Sequence, residues 1–191
     1  MKIQKGDPGY IKAQKIKFLI WAVLEFAIVI ALVILGYVQT GSRLNLFTVV
    51  AVVGCLPAAK MLVEFLALLP HRSIEPEIYR EIEEKAPLLT KAYDLVITGT
   101  GKAMPVDAFV ISDHTVCGYA SSPKTDEVKV SAYLKEMLKS NHVEKVTVKV
   151  FHEYTAFLAR AEGMNNIMMV DRPSDRKREK MIRQLLLTVA I

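Results

Sequence analysis

Few residues in this chain of 191 have the types and spacing to do chemistry, and they fall into four groups. His114 and Cys117 stand three apart. Gly99-Thr100-Gly101-Lys102 sets small residues beside a cation. Asp107 and Lys124 flank a stretch rich in apolar and β-branched residues. Glu25, Lys60 and Glu64 lie inside two long apolar runs. Each group suits a different chemistry: nucleophilic attack, phosphate binding, metal-assisted hydrolysis, and charge or proton handling at membrane depth.

The first two groups fail on spacing. A cysteine nucleophile needs an imidazole within reach of its thiol. Here the pattern puts His114 with Asp113 at a hairpin tip and Cys117 inside the next strand, where cysteine is an ordinary small core residue. His142 and His152 lie elsewhere. A Walker loop needs a glycine five positions before its Gly-Lys pair and a Ser or Thr after it, but those positions hold Val96 and Ala103. A strand follows, not a helix N-terminus, so this segment reads as a turn. Cys55 and Cys117 form neither a disulfide framework nor a metal-ligand spacing. No metal and no cofactor is expected.

The elements that must position the remaining groups begin with two apolar spans, Phe18–Tyr37 and Leu46–Leu69. About 20 residues suffice to cross ~30 Å of hydrocarbon as a helix. The intervening VQTGSRLN, with Gly41 and Asn45, permits only an antiparallel hairpin. Lys2, Lys5, Lys12, Lys15 and Lys17 precede the first span against Asp7 alone, whereas the loop carries only Arg43. The positive-inside rule then predicts a two-pass protein of the cell membrane with both termini cytoplasmic. Lys12, Lys15 and Lys17 suit anionic headgroups, making the bilayer the first expected partner.

Matching depths along the hairpin sets Glu25 level with positions 58–62, which bracket Lys60. An ion pair between Glu25 and Lys60 is expected, because an unpaired charge at membrane depth costs ~2.5–3.5 kcal/mol. Glu64 lies one turn from Lys60. Pro57 is expected to kink the second helix just before Lys60. The same three charges could instead line an interface with another membrane protein or a second copy.

Residues 1–17 form a basic tail, 18–70 the hairpin, and 71–191 an α/β domain built on a mixed sheet, or α+β. The tail supplies four of the five net positive charges and the spans balance, leaving about +1 for the domain. A near-neutral domain lacks the basic footprint that nucleic-acid binding usually shows, so nucleic acid is not the expected partner. A helix capped by Ser73 covers IEPEIYREIEEKA, with LLTKA as a further turn. Strands follow at Tyr93–Gly99, PVDAFVIS and TVCGYASS, then a helix from Asp126 and a strand in VEKVTVKVFH. EYTAFLARAEG forms a helix closed by Gly163, IMMV a short buried strand, and Pro173 onward a final helix. Arg176, Lys177 and Lys180 on that helix precede Ile182, Leu185, Leu186 and Val189, the pattern of a basic amphipathic helix that lies on lipid or on the sheet.

The order helix, three strands, helix, strand resembles the core of the PD-(D/E)xK nuclease superfamily. VDAFVISDHTVCGYASS is similar to the second and third strands of its NERD (nuclease-related) branch. The resemblance covers Ile74 to Phe151 and implies an Asp opening one strand and a Glu-x-Lys ending the next, together holding a metal. Asp107 matches the Asp. Ala120 stands at the Glu position and Ser122 at the Lys position, with Lys124 two residues on. The resemblance therefore implies the fold without the activity.

Three functions follow as expectations. The first is a non-catalytic interaction or assembly module on a membrane anchor. The second is a subunit of a larger membrane complex using Glu25, Lys60 and Glu64. The third is a membrane-bound metal nuclease using Asp107 and Lys124, with Asp94 or Asp126 as a second ligand.

Overall fold

A computed structural model describes residues 3–42, 45–99, 101–170 and 176–191; Lys2, Arg43, Thr100, Arg172 and Pro173 lie outside them. The chain divides into two compact units, residues 11–72 and residues 1–10 with 73–191.

The first unit is a helical hairpin, α1 (Tyr10–Thr40) and α2 (Leu46–Leu68). Asn45 caps α2 by accepting a hydrogen bond from Thr48 N at 2.9 Å. Both helices are long and apolar enough to span a membrane. Only 6% and 11% of their most apolar stretches are buried, unlike core helices of a water-soluble fold. The residues they do bury are mostly small, Ala22 and Gly36 on α1 and Ala51 and Ala58 on α2. Small side chains let two helices approach closely. A Cβ on Gly36 would meet Phe47, and one on Gly54 would meet Val29. Both contacts join residues whose numbers sum to 83. That register places Glu25 level with Ala58, one half-turn short of Lys60. α1 begins at Tyr10, so the second half of the basic tail is helical, and α2 runs unbroken through Pro57.

The second unit is a four-stranded mixed sheet in the order β1 (Thr90–Ile97), β2 (Met104–Ser112), β3 (Thr115–Tyr119), β4 (Thr147–Phe151). The first three form an antiparallel meander, and β4 runs parallel to β3 after a crossover through α4 (Glu127–Ser140). Antiparallel neighbours need only turns, and Asp113 with His114 provide the two-residue β2–β3 connection, Asp113 at φ +44°. The parallel pair needs a long crossover, which α4 supplies. Asp126 caps α4, accepting from Val128 N and Lys129 N at 3.1 Å.

Side chains of both sheet faces are buried. One face packs Leu95, Phe109 and Val150 with Leu134 and Leu138 of α4 and with Ile182 and Leu186 of α6 (Arg176–Val189). The other packs Tyr93, Val110 and Cys117 with Ile82 of α3 (Pro76–Lys85) and Phe157 and Ala161 of α5 (Tyr154–Val170). The expected α/β domain on a mixed sheet is present, with helices on both faces.

Several local expectations are corrected. α3 starts at Pro76 after Glu75, with no side-chain cap, so Ser73 does not cap it. LLTKA is no helical turn: Thr90, Lys91 and Ala92 already belong to β1. α5 continues through Gly163 to Val170, so IMMV is helical, with Ile167, Met169 and Val170 exposed. Ile182 and Leu186 are wholly buried against the sheet, so the apolar face of α6 is not available to lipid.

The outer edge of β1 is covered by both chain termini. Tyr93 N donates to Gly6 O at 2.9 Å, and Ile191 N to Val96 O at 3.0 Å. Lys5 Nζ reaches Ala190 O at 2.6 Å, and Arg183 approaches Asp7 at 3.9 Å. Such cover removes the exposed hydrogen-bonding groups of an edge strand. Residues 3–10 thus belong to the same compact unit as the sheet.

Candidate functional site

The end of the sheet where β3 and β4 finish gathers the residues of the nuclease-like pattern. Asp107 lies on β2, and its Oδ2 accepts a hydrogen bond from Ser121 N at 2.6 Å. Ala120, where that pattern needs a second carboxylate, is wholly buried and donates its N–H to Phe151 O. Lys124 is exposed, in a turn where its N–H meets Ser122 Oγ at 3.3 Å. Thr125 Oγ1 donates to Pro105 O at 2.7 Å.

His152 closes this segment. Its Nδ1 lies 2.7 Å from Ala120 O and its Nε2 2.9 Å from Thr125 O. Its own N–H donates to Glu127 Oε1 at 2.5 Å. Both ring nitrogens therefore meet carbonyl oxygens at either end of one connection, so the imidazole is a brace rather than an open base. No such role is legible along the chain, since the two carbonyls come together only in the fold. Among the described residues no three His, Cys, Asp or Glu side chains are grouped to hold a metal ion.

Asp94 and Asp126, the alternative second ligands, are engaged in structure. Asp94 is 1% exposed, adopts φ +54°, and its Oδ1 accepts from Ile74 N at 2.8 Å. Asp126 caps α4, and the N–H of Lys129 holds its carboxyl below the usual range. Beside Asp94, burial and a hydrogen bond to Glu83 push the Tyr93 hydroxyl well above its ordinary value. Glu83 also pairs with Lys91 at 2.7 Å. Burial likewise raises the Tyr119 hydroxyl, with Asp107 and Glu75 adding to the shift.

His114 and Cys117 are not brought together. His114 lies exposed at the hairpin tip, 3.2 Å from Asp113. Cys117 is in the core, its Sγ 3.5 Å from Met164 Sδ, and burial pushes its thiol up. Such a thiol is a poor nucleophile. Gly99 sits in the β1–β2 connection, where a Cβ would overlap the ring of Tyr133. The glycine is needed there for packing.

In the hairpin, Lys60 pairs with Glu64 at 4.0 Å and its side chain is 71% exposed. It does not pair with Glu25, whose Oε2 is buried without a hydrogen-bond partner. The expected ion pair fails because a register sum of 83 sets Glu25 level with Ala58, half a helical turn from Lys60. Lys15 Nζ donates to Leu69 O at 2.9 Å and to His71 O, so it caps the end of α2. Lys12, Lys17, Arg176, Lys177 and Lys180 are exposed.

Glu179 was not singled out by sequence because it sits in a run of basic residues. It is 1% exposed, and its two oxygens accept from Thr90 Oγ1 at 2.7 Å and Asp113 N at 3.1 Å. The signal was its spacing: positions 179, 182 and 186 share one helical face. In comparisons with family models, curated proteins and solved structures, the chain matches none.

Proposed function

We propose that this chain is a membrane-anchored protein whose α/β domain is a non-catalytic interaction or assembly module. In this reading α1 and α2 cross the cell membrane as a hairpin, with both ends and the domain on the cytoplasmic side. The anchor rests on two long apolar helices whose surfaces are left largely uncovered by protein. The non-catalytic reading rests on one observation above all. Where a metal nuclease needs a second carboxylate, the side chain is a buried methyl group, Ala120. The Asp107 oxygen beside it is occupied by a backbone N–H.

The test uses the full chain in detergent. Titration with Mg²⁺ or Mn²⁺ by calorimetry should show no binding, and Asp107→Ala and Lys124→Ala should leave that titration unchanged. Metal binding abolished by Asp107→Ala would overturn this reading in favour of the nuclease. Extraction of membranes with alkaline carbonate should leave the chain in the pellet; release into the supernatant would remove the anchor.

A second reading, a subunit of a larger membrane complex or a homo-oligomer, is favoured by one feature. Glu25 leaves an oxygen buried and unpartnered inside a hairpin of only two helices. A helix from another subunit could supply the donor. Glu25→Gln should then change the set of co-purifying membrane proteins or the oligomer size, and an unchanged set would count against it.

A further inference from the structure

We infer that the domain makes a second contact with the bilayer, through the end of α5 and the start of α6, and that this contact selects anionic lipid. The inference rests on the membrane-anchored reading above.

Two helix ends on opposite sheet faces are brought to the same end of the sheet. Asn165 of α5 accepts from Leu88 N at 3.0 Å through its Oδ1. Glu179 of α6 accepts from Thr90 Oγ1, two residues further along the chain. The last turn of α5 runs on past Asn165 and exposes Ile167, Met169 and Val170, the last 82% exposed. The first turns of α6 expose Arg176, Lys177 and Lys180. Glu179, the one acid in α6, is turned inward and bonded on both oxygens, so the outward face there is cationic.

Aliphatic side chains on a helix end beside a cluster of cations are the composition of an interfacial membrane contact. The apolar tips enter the headgroup boundary while the cations meet lipid phosphates. Nucleic acid would use the cations and leave the aliphatic tips unexplained, and the domain as a whole is near neutral. Two apolar helices in the same chain hold the domain near a bilayer, so the contact needs little intrinsic affinity.

The test places a reporter in the full chain by Met169→Trp with Trp21→Phe, reconstituted in liposomes containing lipid brominated on its acyl chains. The introduced indole should be quenched in vesicles with one-third phosphatidylglycerol and less so in pure phosphatidylcholine. Each of Arg176→Gln, Lys177→Gln and Lys180→Gln should lower the docked fraction relative to free by about fivefold. Raising salt in the reporter protein itself should do the same without further substitution.

An unquenched reporter, with Trp21 of the unmodified chain still quenched, would overturn this inference and leave the anchor standing. A reporter shielded from water yet unquenched would also overturn it, by showing that protein covers the patch. An unquenched Trp21 would remove the anchor and this contact with it.

Discussion

Asp94 and Asp107 occupy opposing positions across the β1–β2 ladder, between the pairs Tyr93–Ala108 and Leu95–Val106. Like charges in that arrangement repel. Each carboxylate instead accepts a backbone N–H from elsewhere: Ile74 for Asp94, Ser121 for Asp107. The side-chain alternation also slips here. Ala92 and Leu95 face the same core layer, as do Val106 and Phe109. A φ of +54° at Asp94 accommodates the slip, a backbone state Asp and Asn tolerate better than other non-glycine residues.

Asp94 also sits where the chain enters the domain from α2, and its neighbour Tyr93 bonds the segment leading to α1. Replacing Asp94 by Ala leaves Ile74 N unsatisfied and strains the backbone. That should destabilise the domain by roughly 2 kcal/mol, whereas Asp94→Asn should cost less than about 1 kcal/mol. Urea unfolding followed by circular dichroism separates the two, and equal losses would show that the bond is unimportant.

Restoring the missing carboxylate should fail. Ala120→Glu puts a charge where the side chain is wholly enclosed, and should cost about 3 kcal/mol or more while creating no Mn²⁺ site. Asp107→Ala, which removes only the bond to Ser121, should cost about 1 kcal/mol. A stable, Mn²⁺-binding Ala120→Glu protein would contradict this account.

Tyr93 should make the domain sensitive to alkali. Its hydroxyl is held above the ordinary value by burial and by Glu83, so the folded state keeps the proton more tightly than the unfolded state. Its contribution is complete below about pH 10 and declines as pH rises further. Tyr93→Phe should therefore lose less stability between neutral and strongly alkaline pH than the unmodified chain. Parallel slopes in urea unfolding across that range would rule Tyr93 out as the source.

Within the hairpin the two charged positions should behave oppositely. Glu25→Leu removes a buried oxygen that has no partner, and should raise the resistance of the helix pair to unfolding in detergent. Lys60→Met removes an exposed cation 4.0 Å from Glu64 and should leave it nearly unchanged. The reverse order would restore the expected pairing of Glu25 with Lys60.

The elements that were legible in sequence are those with local causes. Alternation in VEKVTVKVFH marked β4, Asp126 marked the start of α4, and Asp113 with His114 marked the hairpin. Where a local signal competed with a tertiary one, the reading failed. Gly163 looked like a helix end, yet it sits on an exposed position of α5 where glycine costs only about 1 kcal/mol. Met164 and Asn165 beyond it are buried and hold the helix on. IMMV looked buried because it is apolar, although only Met168 among its residues packs on the core. Ser73 looked like a cap, but Pro76 sets the first turn of α3 three residues later.

By itself the sequence determined that two apolar helices precede an α/β domain, since hydropathy and period act over neighbouring residues. It also determined that Asp107 lacks its usual companions, because a missing residue type needs no coordinates to be seen. Only the tertiary structure decided which charges meet. Whether Lys60 faces Glu25 or Glu64 turns on helix register, and whether Asp94 meets Asp107 turns on strand register. Both are fixed by packing between segments far apart in the chain. The same packing drew Glu179 inward, left its basic neighbours outside, and set them at the same end of the sheet as the bare end of α5.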